Sequence, residues 1–220
     1  FMVPADADDI RKEYEVLLEE KTRIQAFLEK YLTNETDIVL TGAGTSAFIG
    51  DAIAPLLRGV WKNVRAVATT DIVTNAADYL AADKPLLLIS FARSGNSPES
   101  VAAVNLANAI CKNVAHIYIT CNKNGHLAKS ANAENILSLL LPEETDDKSL
   151  AMTSSFSTML LTCLMISQID HIEAERERIE AVAANAQAIL SDYAGAIEAI
   201  AARPFERGVF LGSGPMKGIA

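Results

Sequence analysis

Two short stretches carry the residue types that could do chemistry on an anion. The first is Leu40-Thr41-Gly42-Ala43-Gly44-Thr45-Ser46-Ala47-Phe48-Ile49-Gly50. A β-branched apolar run, Asp37 to Leu40, precedes it, and Phe48 to Leu57 is apolar enough for a buried helix. Strand, glycine turn and helix form the unit that binds anionic groups in α/β proteins. Glycine lets the backbone approach the ligand, and the first helical N–H groups point at it along the helix dipole. Thr45 and Ser46 stand where that helix begins, suited to phosphate oxygens and also to plain N-caps. The second stretch, Ala92-Arg93-Ser94-Gly95-Asn96-Ser97-Pro98-Glu99, follows the apolar run Leu86 to Phe91. Pro98 fits a first helical turn, with Ser97 as N-cap and Glu99 favourable to the dipole. A lone turn of this kind is usually just a cap. Two of them at two strand ends predict one phosphate site, with Thr45, Ser46, Ser94 and Ser97 as donors.

A third polar cluster, Glu143 to Ser149, precedes Leu150-Ala151-Met152-Thr153-Ser154-Ser155-Phe156-Ser157-Thr158. Its acids read as a solvated loop, and its hydroxyls as helix caps or back-bonded residues of a buried helix. Asp147 is the exception, a carboxylate just ahead of that helix and near the same edge. No other catalytic base suggests itself: His116 falls in an expected strand, and His126 and His171 read as surface residues.

Positioning these groups requires a layered α/β fold. Apolar runs predict strands near 37–41, 64–68, 85–90, 114–120 and 136–141, with helices near 45–58, 72–80, 97–111, 125–132 and 150–168. Crossovers of that length imply a doubly wound, three-layer parallel sheet covered on both faces. With strand order 2-1-3-4-5, both glycine turns face one crevice at the carboxyl ends of the strands. Ahead of the sheet, residues 1–36 form a helical segment, since Asp6 to Tyr31 carries apolar residues at helical spacing. The first domain spans 37–170, and an Ala- and Glu-rich helical spacer covers 171–204. Arg207 to Ala220 then repeats the opening unit: Gly212 and Gly214 match Gly42 and Gly44, while Pro215-Met216 replaces Thr45-Ser46. Residues 205–220 therefore read as the start of a second domain, and the 220 residues as the first half of a two-domain protein.

A net charge of -9 discourages nucleic-acid or anionic-membrane binding, because counterion release has no basic stripe to work with. Cys111, Cys121 and Cys163 lie in or beside apolar runs without metal-ligand spacing, so neither a disulfide framework nor a metal site is expected. No run reaches transmembrane length and the N-terminus lacks a basic-then-apolar leader, which makes a reducing cytoplasm the expected compartment.

The runs TGAGTSAFIGD, LLLISFARSGNSPESVAAV and AMTSS, in this order, resemble the sugar isomerase (SIS) domain family, and within it the ketose/aldose isomerases and aminosugar-phosphate deaminases. The resemblance covers about residues 37–220 and implies a flavodoxin-like five-stranded domain. It also implies aldose–ketose isomerisation, deamination of galactosamine 6-phosphate to tagatose 6-phosphate, or both, in N-acetylgalactosamine catabolism. A hexose or hexosamine 6-phosphate is then the ligand, no cofactor is required, and a homo-oligomer is expected. In the related isomerase domain of glucosamine-6-phosphate synthase, hydroxyls and amides of the two glycine turns hold the phosphate. By position these fall on Thr45, Ser46, Ser94, Gly95 and Ser97, with Arg93 where that enzyme has glutamine. Leu150 and Ala151 match backbone contacts to the sugar, and Ala92 replaces a serine. Asp147 falls where several members have a glutamate, and the proton-moving glutamate of that relative lies on the helix after the second domain's glycine turn. Two other readings exist. A sugar-phosphate sensor needs a DNA-binding partner domain, for which the N-terminal 36 residues are too short and too acidic. A dinucleotide domain would use Gly42-x-Gly44-x-x-Ala47 with Asp71, but has no need of the second turn.

Overall fold

A computed structural model describes residues 6–148 and 152–220. Helix α1 (Asp6–Tyr31) precedes β1 (Asp37–Gly42), α2 (Thr45–Leu57), β2 (Val64–Ala66), α3 (Thr69–Thr74) and α4 (Ala76–Tyr79). There follow β3 (Leu86–Phe91), α5 (Pro98–Ile110), β4 (Val114–Thr120), α6 (His126–Lys129) and β5 (Ile136–Leu140). Helices α7 (Ser154–Ser167), α8 (Arg176–Asp192) and α9 (Ala194–Ala201) complete the chain, with 3-10 turns at Glu143–Thr145, Ile169–Glu175 and Gly214–Gly218. All strand pairs are parallel and the order is β2-β1-β3-β4-β5, the order that sets both glycine turns over one crevice.

Side chains on successive strand residues leave opposite faces of the sheet, and each face has its own core. Ile38, Leu40, Leu87, Ile89, Ile117 and Leu139 pack toward α1, α2 and α7. Val39, Leu88 and Tyr118 pack toward α3 and α5 with Ile72, Ala103 and Ala107. Burial on both faces is why the strands read as continuous apolar runs rather than alternating ones.

Several elements differ from the sequence reading. The helix expected over 72–80 is two short helices, because Asn75 (φ -148, ψ 72) leaves helical geometry between them. Helix α2 is buried on one face only: Ile49, Ile53 and Leu57 are inside, whereas Phe48 and Leu56 are half exposed. The spacer is not uniform either. Its first half belongs to the packed core, with Ile172, Ile179 and Ala183 buried beside α1, while α9 has no buried residue. Phe205 to Ser213 forms no strand, since Val209, Phe210 and Leu211 are 80–90% exposed and have no neighbouring strand to pair with. The glycine turn after it nevertheless has the backbone of the first turn. Gly44 and Gly214 adopt φ of 58° and 55°, and a Cβ on Gly42 or Gly212 would lie 2.6 Å or 2.2 Å from the main chain of Ser46 or Met216. Cys111, Cys121 and Cys163 are buried free thiols.

The contact between α1 and α7 is a buried polar seam. Ser154, Thr158 and Thr162 recur every four residues along α7 and are all buried, as are Asp9 and Glu13 on α1. The Ser154 hydroxyl donates to the Asp9 carboxylate. Thr162 Oγ1 lies 2.7 Å from Glu13 Oε1 and 2.8 Å from the Thr158 carbonyl. One hydroxyl proton cannot serve both acceptors, whereas a protonated Glu13 donating to Thr162 leaves Thr162 free to donate to Thr158. Burial pushes the Glu13 carboxyl up to about 8, consistent with that arrangement, although the Thr162 hydrogen bond works the other way.

Candidate functional site

Strands β1 and β3 are neighbours in register from Asp37↔Leu86 to Gly42↔Phe91, so their two turns leave the sheet side by side. The first turn ends at Gly44, the residue capping α2, and contributes no side-chain cap. Among the described residues, the Thr45 and Ser46 hydroxyls have no hydrogen-bond partner. The second turn is braced. Asn96 N–H donates to Ser94 Oγ at 3.3 Å, and Asn122 Nδ2 and Leu127 N–H hold the Ser94 and Gly95 carbonyls at 3.0 and 3.2 Å. Ser97 does precede α5, with Pro98 in its first turn, but its hydroxyl donates to Ser100 Oγ at 2.6 Å instead of capping the helix.

A cavity of about 320 Å³ opens between the turns. Thr45, Ser46, Arg93, Ser94, Gly95 and Ser97 all line it, so the structure brings together every glycine-turn residue singled out in the sequence. Leu150 and Ala151 lie outside the described residues. The opposite wall comes from α7, with Met152 ahead of it and Ser155, Phe156 and Met159 on it. Ser100 and Ser155 were not singled out from the sequence. A helical period starting at Ser97 would have found Ser100, one turn on, but the facing of α7 requires the tertiary fold.

Asp147 stands at the start of α7. Its Oδ2 accepts the Ser155 N–H at 2.8 Å and so caps the start of α7, and it is not among the residues lining the cavity. Arg93 Nη1 donates to Asp146 Oδ1 at 2.9 Å and to the Asp147 carbonyl at 3.0 Å. The histidines are elsewhere. His116 is buried in β4 with Nε2 3.0 Å from Asn108 Oδ1, and burial lowers its pKa to about 4, while His126 and His171 are exposed. Among the described residues, no group of three or more His, Cys, Asp or Glu could hold a metal ion, and no helix is long and apolar enough to cross a membrane.

A parallel sheet of this order, with two glycine turns opening on one cavity, is the architecture of sugar isomerase domains. The chain belongs to the SIS domain family, whose profile matches residues 31–168. It is 49% identical over 204 residues to the D-galactosamine-6-phosphate deaminase AgaS of Escherichia coli, covering 91% of this chain and 53% of that protein. The crystal structure of the tagatose-6-phosphate ketose/aldose isomerase from Escherichia coli superposes with a TM-score of 0.82 at 46% identity, over 96% of this chain and 60% of that one. A crystal structure from Clostridium novyi NT superposes with a TM-score of 0.93 at 41% identity, over 99% of this chain and 56% of that one. The chain thus spans about half the length of the curated relatives it matches.

Proposed function

We propose that these 220 residues form the phosphate-anchoring half of an enzyme acting on a hexosamine 6-phosphate. Its reaction is aldose–ketose isomerisation, or deamination of galactosamine 6-phosphate to tagatose 6-phosphate with release of ammonia. The carrying observation is the convergence of Thr45, Ser46, Ser94, Ser97 and Arg93 on one cavity. At about 320 Å³ it suits a small phosphorylated sugar. Asp147 already occupies the start of α7, so the helix starts left for phosphate are those of α2 and α5. The relatives named for galactosamine 6-phosphate and tagatose 6-phosphate supply the substrate class.

Both reactions open the sugar ring and move a proton between C1 and C2 through an enediol or enolamine. A base near neutral pKa carries the proton, and a donor stabilises the developing oxyanion. In deamination the C2 amine becomes an imine, which water hydrolyses to release ammonia. The phosphate is remote from these bonds, so its binding energy serves to position C1 and C2. Residues suited to that positioning role line the cavity, whereas among the described residues no lining side chain is a carboxylate or an imidazole. The same reading carries a cytoplasmic homo-oligomer without nucleic-acid or membrane partners, the last of these supported by the net charge of -9.

Calorimetric titration with galactosamine 6-phosphate tests this. Ser46→Ala and Ser94→Ala should each raise the Kd about ten- to a hundred-fold, the scale of one hydrogen bond to a charged group, with little change in Tm. A coupled ammonia assay on the 220-residue chain should show binding without turnover. Tighter binding of NAD than of the sugar phosphate, or no loss from either serine variant, overturns the reading.

A further inference from the structure

Arg93 is the one cationic side chain lining the cavity among the described residues. Its guanidinium is held from one edge only. Nη1 reaches Asp146 Oδ1 and the Asp147 carbonyl, while among the described residues Nε and Nη2 donate to nothing. The main chain at Arg93 is fixed as well, because its carbonyl accepts from Thr120 Oγ1 and the Cys121 N–H, both at 3.2 Å. Neither Asp146 nor Asp147 lines the cavity, and the loop bearing them is pinned at both ends. Thr145 Oγ1 donates to the Pro142 carbonyl at 2.7 Å on one side, and Asp147 caps α7 on the other. Asp146 therefore meets Arg93 from outside the cavity lining, on a segment tied to Pro142 and to α7.

We infer that Asp146 is a positioning residue, which grips one edge of the Arg93 guanidinium so that the other edge presents a two-pronged donor to the substrate phosphate. The inference rests on reading the cavity as a phosphate site. A free arginine samples many rotamers, and a ligand that must order one binds more weakly than a ligand that finds it in place. The planar fork also gains from orientation as a lysine would not, since two parallel N–H groups meet two phosphate oxygens. Asp146 has an opposing effect, because its negative charge repels the phosphate dianion. Asparagine at this position would keep an oxygen to accept from Nη1 and remove the charge. Alanine would remove both.

The test is the ratio of two variants rather than either alone, since both lose the same charge. With galactosamine 6-phosphate as calorimetric probe, the Kd of Asp146→Ala should exceed that of Asp146→Asn about ten-fold, about one ordered side chain's worth. Inorganic phosphate should give a similar ratio, because Arg93 acts on the phosphate and not on the sugar. In an Arg93→Ala background the ratio should fall to about one. The pair is partly exposed, with side chains 28% and 38% accessible, so both variants should melt near the parent. Equal Kd values for the two variants overturn the inference, as does a ratio that survives Arg93→Ala or that appears with the sugar phosphate but not with inorganic phosphate. If Ser46→Ala still weakens binding in those cases, only the role of Asp146 falls. A parent protein that binds neither probe removes the phosphate site and this inference together.

Discussion

Helix α7 presents hydroxyls to two places, and the two use them in opposite ways. On the side of α1, Ser154 is committed to the Asp9 carboxylate and Thr162 to the Glu13 carboxyl and the Thr158 carbonyl, all buried contacts. On the side of the cavity, Ser155 lines the same space as Thr45 and Ser46, whose hydroxyls have no hydrogen-bond partner among the described residues. The residue types are alike and the neighbours adjacent in sequence, yet one set holds helices together and the other is free for a ligand. A hydroxyl serves a ligand when the fold leaves its hydrogen bonds unmade, and it serves stability when the fold supplies a partner.

The largest effect expected from this division lies in the seam and is read by pH. The Glu13 carboxyl is raised from 4.5 to about 8 in the folded protein, so the stability it contributes is present in full below pH 4.5 and is lost as pH rises through 8. Within that window unfolding by denaturant should show stability falling by up to about 1.4 kcal/mol per pH unit. Glu13→Gln should flatten the slope, and an unchanged slope in that variant would place the titrating group elsewhere.

Next in size is the contrast between neighbours on α7. Ser154→Ala leaves the Asp9 carboxylate without its partner and should destabilise the fold by about 1–3 kcal/mol while leaving the Kd for sugar phosphate within about two-fold. Ser155→Ala should do the reverse, raising the Kd about three- to ten-fold with Tm nearly unchanged. Measuring both quantities for both variants breaks the division if the losses are exchanged. The smallest effect belongs to the C-terminal glycine turn, where Met216 is 57% exposed and offers only a thioether. Met216→Ala should shift the Kd by less than about two-fold, far below Ser46→Ala. Equal losses from the two would remove the distinction between the turns.

Much of the arrangement was legible in the sequence because it is local. The parallel sheet follows from apolar runs and crossover lengths, and given the strand order 2-1-3-4-5 that the family resemblance implies, the convergence of Thr45, Ser46, Ser94 and Ser97 follows from the glycines between them. The backbone of Gly212 to Pro215 was legible for the same reason, since a left-handed glycine and a close approach are set within five residues. The strand before it was not, because pairing depends on a neighbour and Val209 to Leu211 have none here. Asp147 stands out in the sequence as a carboxylate near the same edge, and its hydrogen bond to Ser155 N–H belongs to the tertiary structure, a carboxylate ahead of a helix being the natural partner of that helix's first N–H groups. The seam was invisible for a plainer reason. Asp9 and Ser154 are 145 residues apart, and nothing in either segment announces the other.

That same separation governs how the chain comes into being. Tyr14 hydrogen-bonds the Ile172 carbonyl 158 positions later, and Lys21 pairs with Glu173 at a distance of 152. At ordinary rates of synthesis, about 5–20 residues per second, roughly ten seconds or more separate the appearance of α1 from that of its partners. During this interval α1 is outside the ribosome with Tyr14, Leu17 and Ile24, all buried in the folded chain, still uncovered by α7 and α8. Docking of α1 must therefore wait until α7 and α8 exist, so this segment reaches its final place only after parts of the chain made well after it.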